Sequence, residues 1–242
     1  ELKAIGRAVL LGEPGSGKTT TLFKLAADLA DAALFDPTAP VPLLVRLGLW
    51  TDAGEPFDAF LRRAAAELGD GLPARLAGRR AALLLDGLNE IPSDQQAGKY
   101  HAVDRFLAAH PALPAVVTCR EQDYPADRAL ALDRVTVAPL DPARVSAFIH
   151  SYLDPDPDHG PAAADDLFWQ LAGAGARSTY DKFQSAFASR LSDQFSTFWL
   201  AGDLPDGLQW GYTNYFWTSW LQERAQPASL LLLAQNPYML AM

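Results

Sequence analysis

Residues 12 to 19 read GEPGSGKT, and this stretch restricts the fold of the chain more than any other. Gly12, Gly17, Lys18 and Thr19 meet the pattern G-x-x-x-x-G-K-[ST]. The apolar run Ala8 to Leu11 precedes it, and Leu22, Leu25 and Leu29 share one face of a helix after it. A strand that turns through glycines into a helix points backbone N–H groups and the positive end of the helix dipole at one spot, which suits phosphate oxygens. Glu13, Pro14, Gly15 and Ser16 complete the cradle. Lys18 is placed to reach the β and γ phosphates, Thr19 to offer a hydroxyl to Mg2+, and Thr20 to donate to an inner phosphate.

The surrounding pattern agrees with a parallel α/β fold. Short apolar runs at Ala8 to Leu11, Pro42 to Leu47, Ala82 to Leu85, Ala115 to Thr118 and Val135 to Ala138 alternate with helical patterns, which predicts a parallel sheet with crossover helices. One crossover helix is expected through Phe57, Phe60, Leu61, Ala64 and Leu68, and another through Tyr100, Val103, Phe106 and Leu107. Strand signals stop after Pro139. Val145, Phe148, Ile149 and Tyr152 then begin a helix that Asp141 can cap, with Pro142 in its first turn. The reading is therefore a nucleotide-binding domain over 1–139 and a helical domain over 140–242. In the latter, helices are expected through Leu167, Phe168 and Leu171, through Phe183, Phe187, Leu191 and Phe195, and through the closing leucine run from Leu230.

Two further segments complete the candidate site. AALLLDGLNEIP delivers Asp86 to the carboxyl end of an apolar strand, where a carboxylate holds Mg2+, often through water. Glu90, four residues on, is the candidate to orient or deprotonate the attacking water; the plainer alternative is a solvated loop acid. VVTCRE ends a buried strand in Arg120, which could touch the γ-phosphate, or pair at the surface with Glu121 or Asp123. Cys119 reads as a small buried hydrophobe.

Composition narrows the function classes. A net charge of −9 argues against a general nucleic-acid binder, which needs surplus Lys and Arg along a phosphate backbone. One cysteine excludes an internal disulfide and makes the cytosol the default. No apolar run is long enough to cross a bilayer, and no signal peptide opens the chain. The start at Glu1 and the end at Met242 inside an apolar stretch read as a piece of a longer protein.

GEPGSGKTT, VPLLVRL, LLLDGLNEIP, VVTCREQDY, VAPLDPARVSAFIHSYL and NPYML, in that order, resemble the NACHT domain of the STAND class of signal-transducing ATPases. The resemblance implies a five-stranded parallel P-loop NTPase sheet of order 5-1-4-3-2, followed by a small all-helical domain. It brings Arg120 and Glu90 to one γ-phosphate and places Pro237 near the adenine and ribose. Ala4 to Arg7 would form the other wall of the base pocket. It also implies ATP, ADP and Mg2+ as ligands, slow hydrolysis, an oligomer of identical chains when ATP is bound, and sensor and effector domains outside these residues. Asn89 departs from the family, which often has a second acid there. An alanine-rich composition would suit a bacterial source and, by analogy, defence signalling.

The stretch from about 160 to 227 is longer than such a helical domain requires, and it holds Trp169, Trp199, Trp210, Trp217 and Trp220 together with Tyr212, Tyr215 and Phe216. An aromatic core of a helical insertion is the favoured reading, and a docking surface the alternative. Asp154, Asp156, Asp158 and Asp165 only mimic a calcium loop, since prolines and His159 break its spacing. The competing functions are a GTP-preferring switch, although no N-K-x-D base-reading motif occurs, a nucleotide-binding scaffold without turnover, and a small-molecule kinase.

Overall fold

A computed structural model describes residues 6–66, 71–78, 80–124, 129–153, 160–187, 193–200 and 230–241. The chain divides into two compact units, Glu1–Ala138 and Pro139–Met242.

In the first unit, β1 (Arg7–Gly12), β2 (Val41–Arg46), β3 (Ala81–Asp86), β4 (Ala115–Arg120) and β5 (Asp133–Thr136) form one sheet in the order β2-β3-β4-β1-β5, all parallel. This is the α/β order implied by the resemblance. Each parallel connection requires a crossover; among the described residues helix α1 (Lys18–Phe35) lies between β1 and β2, α2 (Phe57–Ala64) and α3 (Leu72–Ala77) between β2 and β3, and α4 (Gln96–Ala109) between β3 and β4.

Alternation along the strands sorts their side chains onto two faces. Leu10, Leu84 and Val116 pack with Leu22 and Leu25 of α1. Val9, Leu83, Leu85 and Val117 pack with Phe60 and Leu61 of α2, Leu72 of α3, and Tyr100 and Val103 of α4. All six residues of β3 are buried, as expected for an inner strand covered on both sides. β5 closes one edge and is mostly exposed.

Several boundaries differ from those expected. The helix through Phe57 ends at Ala64, and a second helix, α3, completes the crossover. Gly71 precedes it and Pro73 sits in its first turn, so the local sequence starts a new helix instead of extending the old one. Leu68 lies outside the described residues. β5 begins two residues earlier than its apolar run, although Val137 still donates from its N–H to Leu11 O at 2.8 Å.

The second unit is helical among the described residues: α5 (Pro142–Leu153), α6 (Gly160–Ala172), α7 (Ala174–Phe187), α8 (Gln194–Leu200), α9 (Leu230–Ala234) and α10 (Pro237–Ala241). Asp141 caps α5, with Oδ1 accepting from Arg144 N at 2.8 Å. Phe183 and Phe195 belong to two helices rather than one. Asp193 starts α8 by accepting from Ser196 N at 3.0 Å, and hydrogen bonding from the Ser196 side chain, then from its backbone, holds the carboxyl below the ordinary range. Leu191 lies outside the described residues.

Phe168, Phe198 and Trp199 are buried together, with Trp199 edge-on to Phe168 at 5.7 Å and to Phe198 at 5.1 Å. Trp199 is 3% exposed, so it is core and not a docking anchor. Trp210, Trp217, Trp220, Tyr212, Tyr215 and Phe216 lie outside the described residues, as do Asp154, Asp156, Asp158 and His159. Asp165 instead pairs with His150 at 3.1 Å.

Leu83 is fully buried on the inner strand β3, and deleting its side chain leaves a cavity between β3 and the α2–α4 layer. Leu83→Ala should lower unfolding free energy by about 2–5 kcal/mol in urea titrations. A loss below about 1 kcal/mol would contradict the assigned packing.

Candidate functional site

β1 ends at Gly12 and α1 begins at Lys18, so the glycine-rich loop joins the carboxyl edge of the sheet to the amino end of a long helix. Gly17 carries φ 89, in the left-handed region that a side chain strains. Gly12 is crowded: a Cβ there would stand 2.7 Å from Ser16 Oγ and 3.3 Å from Val137 Cβ, so a side chain would displace the Ser16 hydroxyl. The loop is closed by Ser16 N donating to Glu13 O at 3.1 Å. Glu13, Pro14 and Gly15 are exposed on its outer surface, and Thr20 is exposed in the first turn of α1.

Lys18 folds back over the loop. Its ammonium donates to Gly12 O at 2.8 Å and Glu13 O at 2.7 Å, which points the charge into the cradle. Burial pushes the Lys18 pKa down, and the positive charge of Arg120 pushes it further; Cys119, Asp86 and Glu13 oppose. Two cations from separate segments therefore act on one place. A polyanion there would be attracted by both and would relieve their mutual repulsion.

Asp86 is the centre of the second half. Its Oδ1 accepts from Thr118 Oγ1 at 2.7 Å, and both carboxylate oxygens lie 3.1 Å from Thr19 Oγ1. The Thr118 hydroxyl in turn accepts from Gly87 N at 2.8 Å. One buried threonine thus orients the carboxylate and satisfies the backbone just after it. Thr118 is 2% exposed, a buried hydroxyl beside the apolar Val116, Val117 and Cys119; a polar residue in a buried run signals only that it needs a partner, and the partner is found in the fold. A hydroxyl and a carboxylate meeting at this distance offer the hard oxygen donors that a small divalent cation takes, with water and phosphate completing its shell.

Beyond β3 the chain turns at Gly87, whose φ is 79, into a 3-10 turn, Leu88–Glu90. Glu90 is exposed, and its side chain folds back close enough to Gly87 that a Cβ there would stand 2.7 Å from Glu90 Cδ. Asn89 faces β4: its Oδ1 accepts from Arg120 N at 3.1 Å. The departure from a second acid therefore has a use, since the amide oxygen fixes the backbone that carries Arg120. Among the described residues no ion pair joins Arg120 to Glu121 or Asp123.

Arg7 lies at the opposite end of β1 from the phosphate loop. The Arg7 guanidinium donates to His110 O at 2.8 Å and Leu107 O at 3.0 Å, capping the end of α4 beside the amino end of β1. Ala4 and Ile5 lie outside the described residues. Pro237 belongs to the second unit, where it opens α10 while Asn236 Oδ1 accepts from Tyr238 N at 3.0 Å. Cys119 is fully buried, and burial raises its thiol pKa, in keeping with an inert core position. Among the described residues no cluster of His, Cys, Asp and Glu could hold a further metal, and no helix is long and apolar enough to cross a membrane.

The Thr118 hydroxyl should be worth measurable stability. Thr118→Val keeps the shape but leaves Gly87 N and Asp86 short of a partner, and should cost about 1–3 kcal/mol by denaturant titration, with Thr118→Ser close to wild type. Equal stability of all three proteins would contradict the clamp.

The model of the NACHT domain family matches residues 7–156, from β1 to just beyond α5. No curated protein matches the chain. Among solved structures, the HORMA:CdnC:Trip13 complex of E. coli MS115-1 is similar at 18% identity and a TM-score of 0.41, covering 98% of this chain and 72% of that one. C. elegans PCH-2 is similar at 14% identity and a TM-score of 0.38, covering 93% of this chain and 64% of that one. Likenesses this slight carry no functional weight. The family match covers well over half of the 242 residues and includes the phosphate loop, Asp86, Glu90 and Arg120, and the chain belongs to the NACHT family of STAND-class P-loop NTPase domains.

Proposed function

We propose that this NACHT domain is an ATP-binding, slowly hydrolysing switch, in which exchange of ADP for ATP drives opening and assembly with further copies of itself. Sensor and effector domains in a longer protein would supply the input and output, and defence signalling in the cytoplasm is the setting we favour. The observation that carries the reading is the convergence of Lys18, Thr19 and Asp86 at the mouth of the phosphate loop, with the charge of Arg120 acting on Lys18.

In this reading the loop from Gly12 to Thr20 binds the phosphates through backbone N–H groups, and Lys18 exchanges its bonds to Gly12 and Glu13 for phosphate oxygens. Thr19 and Asp86 hold Mg2+, directly or through water, and the ion supplies positive charge where the transferring phosphoryl group becomes more negative. Glu90 takes a proton from water as its oxygen attacks the γ-phosphorus. The bond to the β-phosphate oxygen breaks, and ADP and phosphate leave. Arg120 meets the γ-phosphate and so distinguishes ATP from ADP by charge. Pro237 enters the proposal on the family resemblance alone.

A single acid at the water position suits slow turnover. Asn89 cannot accept a proton, so Glu90 is the carboxylate of the turn available for that task. The GTP-preferring, scaffold and kinase alternatives predict other outcomes of one experiment. Calorimetry should show ATP preferred over GTP, and Glu90→Gln should lower steady-state ATP hydrolysis about 10²-fold or more while leaving ATP affinity within about threefold. Turnover unchanged by the substitution would remove Glu90 from the mechanism. GTP preference, or no turnover in the unaltered protein, would favour the rival readings.

A further inference from the structure

Gly48 lies in the 3-10 turn Leu47–Leu49 that follows β2, far from the phosphate loop in sequence. A Cβ on Gly48 would stand 2.9 Å from Glu90 Oε2 and 3.2 Å from Glu90 Cβ. Gly87 crowds the same side chain, with a Cβ there 2.7 Å from Glu90 Cδ and 2.9 Å from Oε2. Two glycines on separate turns thus leave a slot that the Glu90 side chain fills. Gly87 also needs glycine for its positive φ, whereas the φ of Gly48 lies outside that region. What Gly48 provides is space.

The surroundings decide which partner would yield to a methyl group. Leu47 is fully buried, and Trp50 is 1% exposed. The Trp50 ring stacks on Phe60 at 5.3 Å, and its Nε1 donates to Glu55 O at 3.0 Å. The Trp50 carbonyl accepts from the buried ammonium of Lys99, which also lies 4.7 Å from the indole centroid. The turn carrying Gly48 is therefore pinned at both ends. Glu90 is an exposed side chain with rotatable bonds, so the carboxylate would move and the turn would stay.

We propose that Gly48 is a positioning residue for the Glu90 carboxylate, holding open the slot between the turn after β2 and the turn after β3. This rests on reading Glu90 as the water-activating group. Because the contact comes from β2, it also makes the geometry of Glu90 depend on the Trp50 anchor.

The test is a cycle of Gly48→Ala, Glu90→Gln and the double variant, followed by ATP turnover. Gly48→Ala should lower kcat about tenfold with KM and melting temperature unchanged, but less than about twofold when Glu90 is already Gln. Leu49→Ala, at an exposed neighbour, should leave kcat at the wild-type value. Where Glu90→Gln does lower turnover, a rate at or above wild type in Gly48→Ala, or an equal fold loss in both backgrounds, overturns the proposal. The carboxyl carbon signal of Glu90 in NMR reads the contact without turnover: it should shift in Gly48→Ala, and an unmoved signal also overturns the proposal. A shifted signal together with wild-type turnover in Glu90→Gln keeps the contact with Gly48 and defeats the water-activating reading alone.

Discussion

The Asp86 carboxylate joins three segments that have no covalent reason to meet. It accepts from Thr19 at the start of α1 and from Thr118 on β4, while sitting at the end of β3 itself. A carboxylate that is 8% exposed is costly unless its oxygens are satisfied, so each hydroxyl that faces it is under energetic pressure to stay. That pressure fixes the phosphate loop against the strand edge. The Thr118 hydroxyl extends the constraint by accepting from Gly87 N, which sets where the turn bearing Glu90 leaves the sheet. Remove Asp86 and the cradle, the turn and β4 lose their common reference point.

Charge then gives the site its direction. Lys18 and Arg120 lie close enough for Arg120 to depress the Lys18 pKa, second only to burial. Carbonyls of the loop and the Asp86 carboxylate offset part of that repulsion, and a bound triphosphate would offset more. Asn89 contributes by holding the Arg120 backbone and not by adding charge. The arrangement is biased toward an anion before any anion arrives, which is what preorganisation means for a binding site.

Much of this was legible in the residues. Glycines at 12 and 17 with Lys18 and Thr19 between a strand and a helix specify a phosphate loop by spacing alone, and the buried run ending in Asp86 follows from its continuous apolar pattern. What was not legible depends on contacts between segments distant in sequence. Thr118 reads as a strand residue until its hydroxyl is seen between Asp86 and Gly87. Gly48 reads as an unremarkable loop glycine until Glu90 is placed beside it. The extra helix Leu72–Ala77 hides behind the apolar spacing of Phe57, Leu61, Ala64 and Leu68, which reads as one helix, although Gly71 and Pro73 mark a fresh start. The aromatic residues of the helical unit were read for class and not for position. Trp199 resolves into core because its ring is enclosed by Phe168 and Phe198.

Everything proposed for the site requires that Lys18 anchor a nucleotide phosphate. Calorimetric titration of Mg-ATP into the protein and into its Lys18→Ala variant tests that requirement directly. The account predicts at least a roughly tenfold loss of affinity, about 1.4 kcal/mol, with the fold unchanged by circular dichroism. Equal affinity of the two proteins would contradict it.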